Sequence, residues 1–280
     1  MVYDGQVPMK IALKALMINK NTYYYENKTE IDKRTKPLDP ALESMLKQLE
    51  GYDLVYGYRK ITDLFEIFNH KKIYRHMKVL SMLQPRKLKK KKLTRLEISS
   101  PIRSNVRWEG DLTYIWDGIK MNYLFVVVDA YDKEPIGDYY GLRCRADESI
   151  VALEEAVKSR FGSLEPWPKD REARVTMRVD QGSQYISQKF KCRAKELGVK
   201  LEYCGIDCPD DKPYVECFFA RYKCEEVYRN EYRSYSQALM GWVQYKQWYK
   251  TNRIHQGLGF LTIPEFKKKH QEAPLLQGSF

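Results

Sequence analysis

Short apolar runs and amphipathic stretches alternate between residues 100 and 230, and their periods predict strands and helices. The predicted strands are 106–116, 123–129, 137–143, 174–180 and 199–204, and the predicted helices are 148–161, 187–197 and 211–230. Three strands come first, as in a meander, and helices then alternate with strands. This order predicts an α/β domain with a mixed sheet over residues 100–232.

The N-terminal part of the chain is predicted to be all-α. Residues 1–36 form an arm with one amphipathic helix at 8–17, and a second helix capped by Asn21 or Thr22 is left open because that run is rich in β-forming residues. Residues 37–84 form a domain of three helices, at 40–50, after Gly57 and after Asn69. The core stripe predicted for the second helix is Ile61, Leu64, Phe65 and Phe68.

The third of these helices has an apolar face and a basic face. Its apolar residues are Ile73, Met77 and Leu80. Its basic residues are Lys71, Lys72, Arg75 and Lys78. Such a helix after a short turn is typical of a helix-turn-helix recognition helix in a DNA groove. A solvated basic helix on a bundle is the alternative.

Two further segments flank the sheet domain. Residues 85–99 are dense in lysine and arginine, so we expect an extended basic linker. Residues 233–280 form a C-terminal helical extension, whose aromatic-rich helix at 235–250 is expected to pack into the core. Arg253 and His255 follow it in a loop, where we expect them to contact DNA or to brace the predicted 211–230 helix.

The net charge of the chain indicates the kind of partner that it binds. The 280 residues include 49 basic and 37 acidic ones, a formal net charge of +12, which favours a polyanion and salt-dependent binding. There is no run of 18 apolar residues and no apolar signal-peptide core. The six cysteines lack Cys-x-x-Cys spacing, so we expect reduced thiols in a cytoplasmic protein. Cys204 and Cys208 are a weak hint of zinc.

Three acidic residues are placed as in a metal site. Asp111 lies in a predicted strand, Asp180 ends another strand just before Gly182, and Glu216 lies on a predicted helix. The 35 residues between the last two acids are weak evidence by themselves, because the chain is rich in acids. Carboxylates suit Mg²⁺ or Mn²⁺, and two such ions about 4 Å apart can hold both oxygens of a phosphodiester displacement.

The predicted Glu216 helix has an apolar face and a neighbouring face that carries charged residues. Val215, Phe218, Phe219 and Tyr222 recur at helical spacing and form its buried stripe. Glu216, Ala220 and Lys223 fall on a neighbouring face. The carboxylate is then placed to bind metal and the ammonium to hold a DNA phosphate. An ordinary solvated Glu and Lys are the alternative.

Five ordered motifs resemble those of the DDE transposases and retroviral integrases, most of all the OrfB protein of the IS-three family of bacterial insertion sequences. They are Trp108-Glu-Gly-Asp111-Leu-Thr-Tyr114, Asp180-Gln-Gly-Ser-Gln-Tyr185, Asp210-Asp-Lys-Pro-Tyr-Val-Glu216, Lys223, and the segment 249–266. Two departures stand out: Arg178-Val179 replaces a common His-Ser pair, and Lys212-Pro213 replaces a common Asn-Ala pair.

The resemblance implies an RNase H-like catalytic core and a transposase. Asp111, Asp180 and Glu216 would hold two Mg²⁺ or Mn²⁺ ions, and Lys223 would be the family's basic position. Water would first free a 3′-OH at the element end, and that 3′-OH would then attack target DNA. The resemblance also implies at least a dimer, a prokaryotic, nucleoid-associated location and an OrfA partner or frameshift fusion. The alternatives are a catalytically inactive DNA-binding regulator and a stand-alone RNase H-like nuclease.

Overall fold

The computed structural model describes residues 9–17, 37–84, 101–168, 170–205 and 211–271. The possible second helix of the arm, the basic linker at 85–99 and Cys208 lie outside these ranges. The chain divides into two compact units, Met1–Gln48 and Leu49–Phe280. This division falls inside the predicted 37–84 domain. No helix in the described ranges is long and apolar enough to cross a membrane.

The first unit contains two short helices, α1 (Met9–Ala15) and α2 (Pro40–Lys47). Asp39 caps α2, because its side chain accepts hydrogen bonds from Ala41 N and Leu42 N. Helix α2 ends three residues earlier than the predicted 40–50.

The second unit begins with a 3₁₀ turn (Gly51–Val55) and two helices, α3 (Tyr58–Phe65) and α4 (His70–Val79). Helix α3 ends at the left-handed Glu66, and Asn69 caps α4 by accepting a hydrogen bond from Lys71 N. Ile61 is buried but Leu64 is exposed. The predicted α3 stripe was therefore wrong at Leu64, since the inward line follows the i, i+4 spacing of Ile61 and Phe65.

A five-stranded mixed sheet forms the centre of the second unit. Its strands are β1 (Arg107–Trp116), β2 (Met121–Asp129), β3 (Pro135–Gly141), β4 (Val175–Val179) and β5 (Val199–Tyr203). They lie in the order β3-β2-β1-β4-β5. The β1–β2 and β2–β3 pairs are antiparallel, and the β1–β4 and β4–β5 pairs are parallel. This confirms the mixed α/β sheet expected for an RNase H-like core.

Helices cover both faces of the sheet. On one face α5 (Ala146–Phe161), the short α6 (Ser183–Ile186) and α7 (Gln188–Glu196) pack over Trp108, Phe125 and Val127. On the other face α8 (Pro213–Glu225) and α9 (Tyr235–Thr251) pack over Ile115, Leu124 and Val126. The predicted inward residues of α8 and the aromatic residues Trp242, Tyr245 and Tyr249 of α9 are buried in this second core, as expected.

The C-terminal part of the unit differs from the predictions in two ways. The predicted 211–230 helix ends at Glu225, and a 3₁₀ turn, Val227–Arg229, follows. Helix α10 (Ile263–Gln271) was not predicted. Thr262 and Glu265 form a reciprocal cap at its start, with Thr262 N to Glu265 Oε2 at 2.8 Å and Glu265 N to Thr262 Oγ1 at 3.4 Å. This Thr-x-x-Glu pattern was the available signal.

Candidate active site

The parallel pairing of β1 with β4 brings two of the predicted acids together. Glu109 on β1 is paired with Arg178 on β4, so two residues further along each strand Asp111 lies beside Asp180. Side chains two apart in a strand point to the same face, and here that is the face covered by α8. The carboxylates therefore converge at the edge where β4 ends.

A lysine ammonium lies between these two carboxylates. Lys212 Nζ is 3.0 Å from Asp111 Oδ1 and 3.5 Å from Asp180 Oδ2. Lys212 is buried, with 6% of its surface exposed. Burial raises the pKa of Asp111, and the Lys212 charge opposes that rise. For Lys212, burial lowers the pKa but the attraction of the two aspartates prevails and raises it.

Asp180 is oriented by the turn that follows β4. Its Oδ1 accepts a hydrogen bond from Gly182 N at 2.8 Å, which leaves Oδ2 directed at Lys212. A Cβ on residue 182 would lie 2.4 Å from Gln184 Nε2 and 2.8 Å from Asp180 Oδ1. A side chain at position 182 would therefore have to displace the Asp180 carboxylate or the Gln184 amide from its present place.

Glu216 lies across a cavity from β1. The cavity has a volume of about 370 Å³, and its charged lining residues are Asp111, Glu216 and Lys223. Glu216 is half-buried on the first turn of α8, and Lys223 lies on the last turn of that helix. The structure thus brings Asp111, Glu216 and Lys223 to one cavity and joins Asp180 to Asp111 through Lys212. Among the described residues no three acidic, histidine or cysteine side chains form a ready metal cluster.

Glu109 anchors the helix that carries Glu216. Its carboxylate is fully buried, and its Oε2 accepts hydrogen bonds from Tyr214 N at 2.7 Å and Val215 N at 3.0 Å. These are amides of the first turn of α8, where the helix dipole favours negative charge. Burial raises the pKa of Glu109, although the two amides oppose the rise. The strand that carries Asp111 therefore also holds the Glu216 helix.

Arg253 holds the opposite end of α8. Its guanidinium binds Glu225 through two contacts, Nε to Oε2 at 2.7 Å and Nη2 to Oε1 at 2.5 Å. Both residues are buried, and Tyr245 also donates a hydrogen bond to Glu225. Burial next to Arg253 lowers the pKa of His255 to about 2, so that ring is neutral. Of the two expected roles for Arg253, these contacts favour the brace.

The four basic residues of α4 differ in how far they are exposed. Lys71 and Lys78 are exposed. The Lys72 ammonium lies 4.7 Å from the centre of the Phe68 ring, and Arg75 is half-buried. Ile73 and Met77 are buried on the other side of the helix, as predicted, whereas Leu80 is half-buried at its end. The basic face stays a prediction as a DNA contact.

Two residues at this site were not identified from the sequence. Glu109 lies two positions before Asp111, and that spacing on a strand was the available signal. Lys212 was noted only as a departure from the family pattern, because nothing local indicates that its side chain turns back to β1 and β4.

The chain is similar to known transposases over most of its length. Residues 101–208 match the family model described as the integrase core domain. The putative transposase InsK of insertion sequence element IS150 from Escherichia coli K12 is 28% identical over 280 residues, 94% of each chain. The IS904 transposase of Lactococcus lactis is 25% identical over 165 residues, 59% of this chain and 62% of that protein.

The fold is also found in a solved structure. A chain in the cryo-EM structure of the simian T-cell lymphotropic virus intasome, in complex with PP2A regulatory subunit B56 gamma, superposes with a TM-score of 0.51. It is 15% identical, and the match covers 79% of this chain and 77% of that chain. This likeness agrees with the mixed sheet and helix order described above.

Proposed function

Because this chain belongs to the DDE transposases of the IS-three family, in the retroviral integrase superfamily, we propose that it cuts and joins DNA at a site formed by Asp111, Asp180 and Glu216. Transposition of an insertion sequence is the activity that the names of its relatives carry.

The contact of Lys212 with both aspartates is the observation that supports a metal site most directly. One cation already sits within 3.0 and 3.5 Å of two adjacent carboxylates, so the local field accepts positive charge at that point. The donors are carboxylate oxygens, which Mg²⁺ and Mn²⁺ prefer. The residues therefore fit a divalent metal, with Asp111 and Asp180 as one pair of ligands and Glu216 as the third.

Two bound ions would supply Lewis-acid activation of the attacking oxygen and stabilisation of the leaving oxygen. The protein contributes positioning. Asp111 is fixed in β1, Asp180 is oriented by Gly182, and Glu216 is carried on a helix held at both ends. Lys223 lines the same cavity as Asp111 and Glu216, where its ammonium can bind a DNA phosphate. No covalent protein–DNA intermediate is required, because a water and then a 3′-OH are the nucleophiles.

The substrate we propose is duplex DNA, at the element ends and at the target. The net charge of +12 and the basic face of α4 support binding to a polyanion. Pairing two element ends requires at least two active sites, so we propose a homodimer or a larger oligomer on DNA. An OrfA product or an upstream fused frame is proposed as an additional partner.

A strand-transfer assay tests the proposed function. The protein is incubated with Mg²⁺, a labelled duplex that carries an element end, and unlabelled target DNA, and wild type is compared with Asp180→Asn. We expect cleaved and joined products from wild type and neither from the variant. Cleavage without joining would identify a nuclease, whereas DNA binding without products under any divalent metal would identify a regulator. Equal products from both proteins would exclude the proposed site.

A further inference from the structure

The Lys212 ammonium lies between the two aspartates that we propose as metal ligands. Lys212 itself lies outside the sheet and outside helix α8. It precedes Pro213, the first residue of α8, and its side chain reaches back to β1 and to the end of β4. We propose that Lys212 is a positioning residue that holds Asp111 and Asp180 together in the metal-free protein and is displaced by the incoming divalent cation. This inference rests on the proposed metal-binding role of the two aspartates.

Lys212 and the two aspartates stabilise one another's charges. Two adjacent carboxylates repel each other, and a buried ammonium without a partner is costly. One Lys212 ammonium shared between Asp111 and Asp180 lowers both costs. Without it, the metal-free site would relieve repulsion by protonation or by separation of the two strands' side chains.

The backbone around Lys212 is fixed, so that only its side chain has to move. Arg178 Nη1 donates a hydrogen bond to the Asp211 carbonyl at 2.8 Å, and Asp211 Oδ2 accepts one from Gly205 N at 3.1 Å. On the other side, Glu109 holds the amides of Tyr214 and Val215. A lysine carries its charge on a flexible four-carbon stem, which suits exchange between two positions.

The ammonium and a metal would compete for the same oxygens. Asp180 Oδ1 accepts a hydrogen bond from Gly182 N, and Oδ2 faces Lys212, so a metal between the two aspartates would take the oxygen that Lys212 contacts. Asp111 Oδ1 is likewise in contact with Lys212. Lys212 therefore sets the metal concentration at which the site loads, because each binding event must first break these two contacts.

Calorimetric titration of the full-length protein with Mn²⁺ tests this competition. We expect Lys212→Met, which keeps the length of the side chain but not its charge, to bind Mn²⁺ about tenfold more tightly than wild type. Lys212→Arg retains the charge and should restore weaker binding. Lys200→Met, an exposed lysine on β5, is the matched control and should match wild type.

The unfolding temperature, measured with and without Mn²⁺, provides a second test. A lysine with only a structural role would not change how far Mn²⁺ raises this temperature. Without metal, Lys212→Met should unfold at a lower temperature than wild type, because two carboxylates are left uncompensated. At the same Mn²⁺ concentration, well above both dissociation constants, its unfolding temperature should rise by more than that of wild type, since stabilisation by a ligand grows with the logarithm of its affinity. Equal Mn²⁺ affinity in wild type and Lys212→Met, or weaker binding in the variant, would overturn the proposal.

The same titration separates this inference from the proposed function. If Asp111→Asn and Asp180→Asn abolish Mn²⁺ binding while Lys212→Met leaves the affinity unchanged, the metal site stands and the role of Lys212 is wrong. If the two aspartate variants bind Mn²⁺ as wild type does, the proposed metal site is itself wrong, and the role of Lys212 is overturned with it.

Discussion

Glu109 shows how a single buried side chain links the acids to one another. It lies on the same strand and face as Asp111, and its carboxylate receives two amides from the first turn of the Glu216 helix. The distance between Asp111 and Glu216 therefore depends on Glu109, although Glu109 is itself fully buried and has no surface open to a substrate.

Replacing Glu109 should destabilise the protein and reduce its activity together. Glu109→Ala removes the acceptor of two helix-terminal amides, which should cost about 2 kcal/mol of unfolding free energy in urea denaturation. Glu109→Gln keeps one carbonyl acceptor and should lose less. If Glu109→Ala were as stable as wild type, the anchoring role would be wrong.

The neutral state of buried His255 predicts a pH dependence of stability. In the folded protein its pKa is lowered to about 2, whereas an exposed histidine takes up a proton near pH 6.5. Below pH 6.5 the unfolded chain gains this proton and the folded chain does not, so stability is lost as pH falls. Wild type should lose about 2 kcal/mol more than His255→Gln between pH 7 and pH 5 in urea denaturation. Parallel losses in the two proteins would contradict this.

The sequence indicated the three candidate ligands, but it did not indicate the residues that position them. Asp111, Asp180 and Glu216 were selected because each falls at a recognisable place in a strand or helix pattern. Glu109 and Lys212 act through contacts between segments about 100 and 30 residues apart. No local period records such contacts, so these two roles required the structure.

Helix α8 is the element on which the site depends. Its buried stripe packs under α9, its first turn is held by Glu109, and its last turn is held by the Glu225–Arg253 pair. Glu216 therefore lies on a helix that is fixed at both ends, which is the support that a positioned ligand needs.

Removing Arg253 alone from the Arg253–Glu225 ion pair should lower the free energy of unfolding more than removing both residues. Arg253→Met leaves a buried carboxylate unpaired and should lose about 3–5 kcal/mol of unfolding free energy. Arg253→Met combined with Glu225→Met should recover a large part of that loss, because no charge remains buried. A double variant as unstable as the sum of both single variants would contradict a direct ion-pair role.

The basic face of α4 makes a separate prediction about DNA binding. Replacing Lys71 and Lys78 with alanine should weaken duplex binding and reduce the slope of log K against log salt by about 2 if each contacts one phosphate. Lys158→Ala with Lys195→Ala is the control, since these lysines are exposed on two other helices, α5 and α7, and the charge change is equal. Equal slopes in fluorescence titrations of the two variants would rule out α4 as the recognition helix.

Helices and strands were predictable where apolar residues recur over a long segment. They were less predictable where a capping contact sets the start or the end of a helix. Helices α5 and α8 and all five strands were expected from their apolar periods. Helix α10 is short and basic, so its stripe is weak, and only the Thr262–Glu265 cap marks its start. The end of α8 at Glu225 depends on Glu226, whose side chain is held by Tyr52, Asn230 and Tyr232.

For the whole molecule, the sheet order explains how motifs that are distant in the sequence come to lie near one another. Strand β4 inserts beside β1 in parallel, and this places Asp180 next to Asp111 although 68 residues lie between them. Helix α8 then crosses the same face and adds Glu216. The fold class followed from the order of the elements, but the pairing of β1 with β4 was not predicted, because periodicity does not specify which strands are neighbours.

The most direct test of the account is the yield of joined DNA from Asp111→Asn, Asp180→Asn and Glu216→Gln, each measured with Mg²⁺, labelled element-end DNA and a target duplex. Each change removes one ligand charge with little change in shape, and duplex binding is measured in parallel to show that the protein still holds its substrate. We predict that wild type joins the DNA and that each variant loses about a thousandfold in rate while duplex binding persists. Joining at the wild-type rate by any one of the three variants would contradict the claim that these carboxylates form a single catalytic site.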